Sequence, residues 1–151
     1  MTDAVDEVLA RVRGEVAARA DRLWDMARML HSDPEYAFEE HRAAALLCGE
    51  LEWAGFEVQR DVAGLPTAFT ARSGTRTRPA VALMLEYDAL PGLGHACGHN
   101  LIAAAGLGAA LAARAVLDRD AGTVWAIGTP AEEGGGGKVA ETEAGVFDDV
   151  D

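Results

Sequence analysis

Cys97 and His99 stand one residue apart in His95-Ala96-Cys97-Gly98-His99-Asn100, and the adjacent carboxylates Glu132-Glu133 follow some thirty residues later. Thiolate, imidazole and carboxylate are the donors that hold zinc and its neighbours, and Cys97 and His99 are close enough to grip one ion from a single turn. A second glutamate beside the first has no use in a purely structural zinc site. One carboxylate can hold metal while its neighbour moves a proton, which is the division of labour of a metallohydrolase.

The flanking sequence says how these groups are positioned. Ala80-Val81-Ala82-Leu83-Met84-Leu85 reads as a buried strand that ends in Glu86-Tyr87-Asp88 and a loop through Pro91-Gly92-Leu93-Gly94. Residues 100–117 are rich in Ala and Leu without proline and read as a helix, which puts Cys97 and His99 at its N-terminus, where the macrodipole together with a bound cation favours a thiolate. Gly122 to Ile127 is a second apolar strand, ended by Thr129-Pro130, with Glu132-Glu133 directly after it. Both polar clusters thus fall beyond the carboxyl ends of strands, where open α/β sheets build their sites. Upstream, apolar residues from Val5 to Leu30 recur at three- and four-residue steps and predict one long first helix. A second helix is predicted over Glu39–Ala54, stopped by Gly55, with further strands over 56–62 and 67–72, a turn over 73–79, and a short helix near 139–143.

Other readings are weaker. Cys48 lies in an apolar run and reads as a small buried hydrophobe. Glu132-Glu133 taken alone would be a solvated loop. Gly134–Gly137 followed by Lys138 suggests a phosphate loop, but Glu132 stands where its first glycine belongs and Val139 where Ser or Thr belongs, so that reading is rejected. The 151 residues suffice for one core, and a net charge of -12 argues against a nucleic-acid partner. No apolar run approaches the roughly twenty residues of a membrane span, and the first residues lack the pattern of a signal peptide. Two cysteines make no disulfide framework, so a reducing cytoplasm is the expected location.

Three extended motifs in order, Glu86-Tyr87-Asp88-Ala89-Leu90-Pro91, Gly94 to Asn100 and Gly128-Thr129-Pro130-Ala131-Glu132-Glu133-Gly134, resemble the zinc-dependent acyl-amino-acid amidohydrolases, related to hippurate hydrolase, aminobenzoyl-glutamate hydrolase, aminoacylase and carboxypeptidase-like dipeptidases. Leu30 to Glu35 with Glu39-Glu40, Gly55 to Val58 and Gly64 to Ala68 extend the likeness. The resemblance implies an α/β, three-layer zinc-exopeptidase-like catalytic domain with a mixed sheet flanked by helices, present here only in its N-terminal part. It makes Cys97, His99 and Glu133 metal ligands, with the Cys97 thiolate bridging two divalent ions, zinc first and manganese or cobalt as alternatives. Glu132 becomes the general base and Asp88 the carboxylate that orients a ligand. Two positions depart from the family pattern. Glu86 stands where the wider family has a histidine ligand, and Asn100 where many members have Asp; the Asn form is similar to the aminobenzoyl-glutamate and dipeptidase-like branch.

The resemblance implies cleavage of an amide bond in a small N-acyl amino acid or dipeptide by a full-length homodimer, while the charge and the apolar runs predict no nucleic-acid or membrane partner. Three good donors are fewer than two ions need; the resemblance implies that the missing ones are histidines beyond Asp151, together with a lid or dimerisation domain there, and residues 1–151 alone are expected to be inactive. The rival reading is a non-catalytic metal-binding or partner-binding α/β module.

Overall fold

A computed structural model of the chain describes residues 2–151. Where a single long helix is expected there are two, α1 (Thr2–Ala18) and α2 (Ala20–Ser32). The break falls at Arg19, whose ψ is 0° and whose N–H bonds back three residues, to the carbonyl of Val16 at 3.1 Å. That tightened turn redirects the chain while both helices keep their apolar stripes on a common partner, α4 (His99–Val116). Helix α3 (His41–Trp53) ends as expected at Gly55, whose φ of +84° places it in the left-handed region.

Four strands, β1 (Glu57–Arg60), β2 (Phe69–Gly74), β3 (Ala80–Leu85) and β4 (Thr123–Gly128), form one mixed sheet in the order β1-β2-β4-β3. β1 and β4 run antiparallel to β2, and β3 runs parallel to β4. Parallel neighbours need a crossover, and α4 provides it. Phe69, Ala71, Leu85 and Ala126 face helix residues Met26, Leu47, Leu51 and Leu107 in one buried core. Tyr87 is fully buried there, stacked on Phe69 with ring centroids 6.0 Å apart, and its hydroxyl donates to the carbonyl of Thr67 at 2.6 Å.

Helix α4 is apolar enough to pass for a membrane span by composition, but 56% of it is buried within the fold. Its hydropathy reflects its place between the sheet and α1 and α2, where Gly106 meets Leu85 and Gly108 meets Leu23. The mixed α/β architecture read from the sequence is therefore present. In the β3/β4 register Leu85 pairs with Gly128, and both strands end at that level. Everything that leaves the sheet after these two residues emerges side by side.

Candidate metal centre

Three chain segments meet at the carboxyl ends of β3 and β4. The first is Glu86–Asp88. The second is the turn into α4, where the Gly98 N–H bonds the carbonyl of His95 at 3.0 Å and Gly98 itself adopts φ +85°. A side chain at that left-handed position costs about 1 kcal/mol, so glycine there is what lets Cys97 and His99 flank the helix start. The third is Thr129–Glu133, pinned by the Thr129 N–H to the Leu85 carbonyl at 2.9 Å.

His99 is the centre of the cluster and is 3% exposed. Its Nδ1 lies 3.0 Å from the Asp88 carbonyl and 2.9 Å from Asp88 Oδ1. A carbonyl can only accept, so Nδ1 carries the proton and Nε2 presents its lone pair outward, the tautomer a metal ligand needs. Around Nε2 stand Glu86 Oε2 at 3.5 Å, Glu132 Oε2 at 3.8 Å and Glu133 Oε1 at 3.9 Å. The donor atoms of His99, Glu132 and Glu133 all lie within 4.8 Å of one another. Tetrahedral zinc with bonds of about 2.1 Å separates its donors by roughly 3.4 Å, so a small rotation of the exposed Glu133 brings it and His99 onto one divalent ion, with Glu132 left beside that ion. The residues fit such an ion.

Asp88 is buried and joins two of the segments, because its Oδ2 also accepts the Glu133 backbone N–H at 3.1 Å. One carboxylate thereby sets the ring of His99 and the backbone of Glu133. His95, whose role the sequence leaves open, is buried beside Asp88 and His99, and desolvation pushes its pKa down, so it stays neutral near pH 7. Asn100 donates through its Nδ2 to the Ala27 carbonyl at 3.0 Å, tying α4 to α2. An aspartate carboxylate could not make that bond.

Cys97 lies against Glu133, and its protein surroundings alone favour the thiol. Its thiol hydrogen-bonds Glu133, and that bond, desolvation and the charges of Glu133, Asp88 and Glu132 all raise its pKa. Three carboxylates outweigh one helix N-terminus, and the proton stays on sulfur until a cation displaces it. If Sγ is a ligand, zinc affinity should rise about tenfold per pH unit between pH 7.5 and 8.5, one proton leaving per ion bound. Chelator competition at the two pH values measures this, and Cys97→Ser should flatten the slope. Equal affinity at both values would remove Cys97 from the ligand set.

Two residues near the site carry roles the sequence does not announce. Glu40, fully buried at the start of α3, accepts the N–H of Phe38 at 3.0 Å and that of Ala131 at 2.9 Å. Ala131 has φ +56°, so Glu40 holds the ligand loop in a backbone conformation it would otherwise leave. Lys138, near the start of α5 (Gly137–Glu143), pairs with Glu86. Cys48, by contrast, is the buried hydrophobe it reads as, its thiol pushed up to about 11 by desolvation. A cavity of about 470 Å³ opens at the opposite ends of the strands, between Val81, Val124 and Leu117, and contains none of the site residues.

Known proteins share this arrangement of sequence. The chain is 46% identical to Xaa-Arg dipeptidase of Mus musculus over 96% of its own length and 37% of that protein's. It is 40% identical to a subunit of the p-aminobenzoyl-glutamate hydrolase of Escherichia coli (strain K12) over 97% of its length and 33% of the relative's. Among solved structures, a dinuclear metal binding peptidase of the M20 family from Bacillus subtilis superposes with a TM-score of 0.79 at 32% identity, covering 89% of this chain and 41% of that one. The chain thus spans about a third to two fifths of the length of these relatives. The profile of Peptidase family M20/M25/M40 matches residues 82–151, the segment that carries Glu86, Asp88, Cys97, His99, Glu132 and Glu133, and over that segment the chain is similar to that family.

Proposed function

We propose that a protein containing this chain hydrolyses the amide bond of a dipeptide or N-acyl amino acid at a metal centre built on His99, Glu133 and Cys97. The observation that carries this reading is the convergence of Glu132 and Glu133 on the lone pair of a buried histidine whose tautomer Asp88 fixes. The names of the relatives, a dipeptidase and an aminobenzoyl-glutamate hydrolase, support the same substrate class. A divalent ion held here would supply Lewis acidity toward water and the scissile carbonyl. The Bacillus subtilis structure, described as dinuclear, supports two ions, and the thiol of Cys97 supports zinc as the metal.

The two glutamates take different roles because they are held differently. Glu133 is anchored through its N–H to Asp88 and through its carboxylate to the Cys97 thiol, as suits a ligand. Glu132 has no such anchor, and its side chain is 40% exposed at the mouth of the cluster. It is placed to take the proton of an attacking water and deliver it to the leaving amine. A longer protein that includes this chain, assayed on a panel of dipeptides and N-acyl amino acids with and without zinc or manganese, should show metal-dependent release of free amino acid. Metal binding through His99 with no turnover on any member of the panel would favour the rival reading, a binding module.

A further inference from the structure

We propose that Lys138 governs the metal centre by holding Glu86 out of the ligand set, so that the Glu86–Lys138 pair is a neutral latch beside His99 and Glu86 is not a donor. This inference rests on the metal-centre reading above. By distance alone Glu86 is the first candidate donor, since its Oε2, at 3.5 Å, is nearer to His99 Nε2 than either Glu132 or Glu133. Its other oxygen, however, accepts from the Lys138 ammonium, and the pair is partly shielded, with 18% of the Glu86 side chain and 33% of the Lys138 side chain exposed.

Among the described residues Lys138 is the one cationic side chain of lysine or arginine paired with any of Glu86, Asp88, Glu132 and Glu133. It is also the only lysine in the chain; the other twelve basic residues are arginines. The difference is chemical. An arginine fork would engage both carboxylate oxygens of Glu86, whereas an ammonium is a point charge that binds one and leaves the other facing His99. The local backbone is built to deliver it. A β-carbon on Gly137 would lie 2.0 Å from the Pro130 carbonyl oxygen, so only glycine lets the start of α5 pass this close to the end of β4. With the latch closed, Glu86 and Lys138 add no net charge beside the ion.

Zinc affinity of the chain, read by competition with a chromophoric chelator, tests the inference through Lys138→Met, Glu86→Gln, the double variant and His99→Ala. Freeing Glu86 in Lys138→Met should tighten zinc binding about tenfold, the scale of changes around metal ligands. Glu86→Gln should weaken binding, because an unpaired ammonium then faces the ion. The double variant, neutral like the wild type, should return to the wild-type affinity. If the double variant stays as weak as Glu86→Gln, Glu86 is a donor and the latch is wrong. If all three weaken binding alike, the pair only braces the loop, and the proposal again fails. Equal binding by wild type and His99→Ala would overturn the metal centre itself, an outcome separable from the other two.

Discussion

Glu132→Gln, made in a longer protein that carries this chain, is expected to lower turnover by about 10²-fold or more while leaving zinc content unchanged, the usual scale for loss of a general base. Glutamine keeps the size and one acceptor oxygen of the side chain but cannot take a proton. Glu133→Gln is expected to act on the other quantity. Its carboxylate lies between the Cys97 thiol and His99, and replacing it should release metal, with activity recovering as zinc is added in excess. Metal content by atomic absorption and initial rates across a zinc titration separate the two effects. If Glu132→Gln loses metal and Glu133→Gln keeps it, the two roles are exchanged.

The second large effect is on stability and lies away from the chemistry. Glu141 on α5 is fully buried, and neither of its carboxylate oxygens has a hydrogen-bond partner among the described residues. Desolvation pushes its pKa up to about 7 from an ordinary 4.5, with nearby Lys138 pulling it partly back. The folded state therefore holds this proton to higher pH than the unfolded chain does. Stability from this group is full below pH 4.5 and is lost as pH rises through 7, by about 3 kcal/mol in total. Glu40, raised by burial as well, slopes in the same direction. Glu141→Gln removes the titration but not the polarity. It should stabilise the chain by about 2 kcal/mol at pH 8 and leave it nearly unchanged at pH 4.5. Urea unfolding at the two pH values measures this, and a variant less stable than wild type at pH 8 would mean that the carboxylate has a partner it needs.

How far the sequence could be read depended on the range of the interactions involved. Strands β3 and β4 and helix α4 were legible because apolar runs, glycines and the lack of proline act locally. Cys97, His99, Glu132 and Glu133 were legible as chemistry because each pair is adjacent or nearly so. The break at Arg19 was not, since Val5 to Leu30 keep a helical period on both sides of it and one three-residue hydrogen bond leaves no mark in composition. Nor was the contact of Cys97 with Glu133, because the helix N-terminus is visible in sequence while the approach of Glu133 from 36 positions away is not. Glu40, Glu141 and the Glu86–Lys138 pair share that cause. A glutamate on a helix reads as solvated until distant segments close over it, and Lys138 lies 52 positions from the carboxylate it meets.

The level ends of β3 and β4 also divide the chain into parts that can and cannot change in length. Between Leu117 and Gly122 the chain makes an exposed turn at the far end of the sheet, held by the Thr75 N–H to the Arg119 carbonyl at 2.7 Å, and a residue inserted at Asp118 would extend into solvent. Between Leu85 and Asp88, or between Gly128 and Glu133, one added residue would carry a functional group past its partners, because both segments are counted from the same paired position. Natural variants of this sequence should therefore accumulate insertions and deletions at one end of the sheet and almost none at the other. A library of single-residue insertions scored for zinc retention would draw that boundary directly, without any knowledge of substrate.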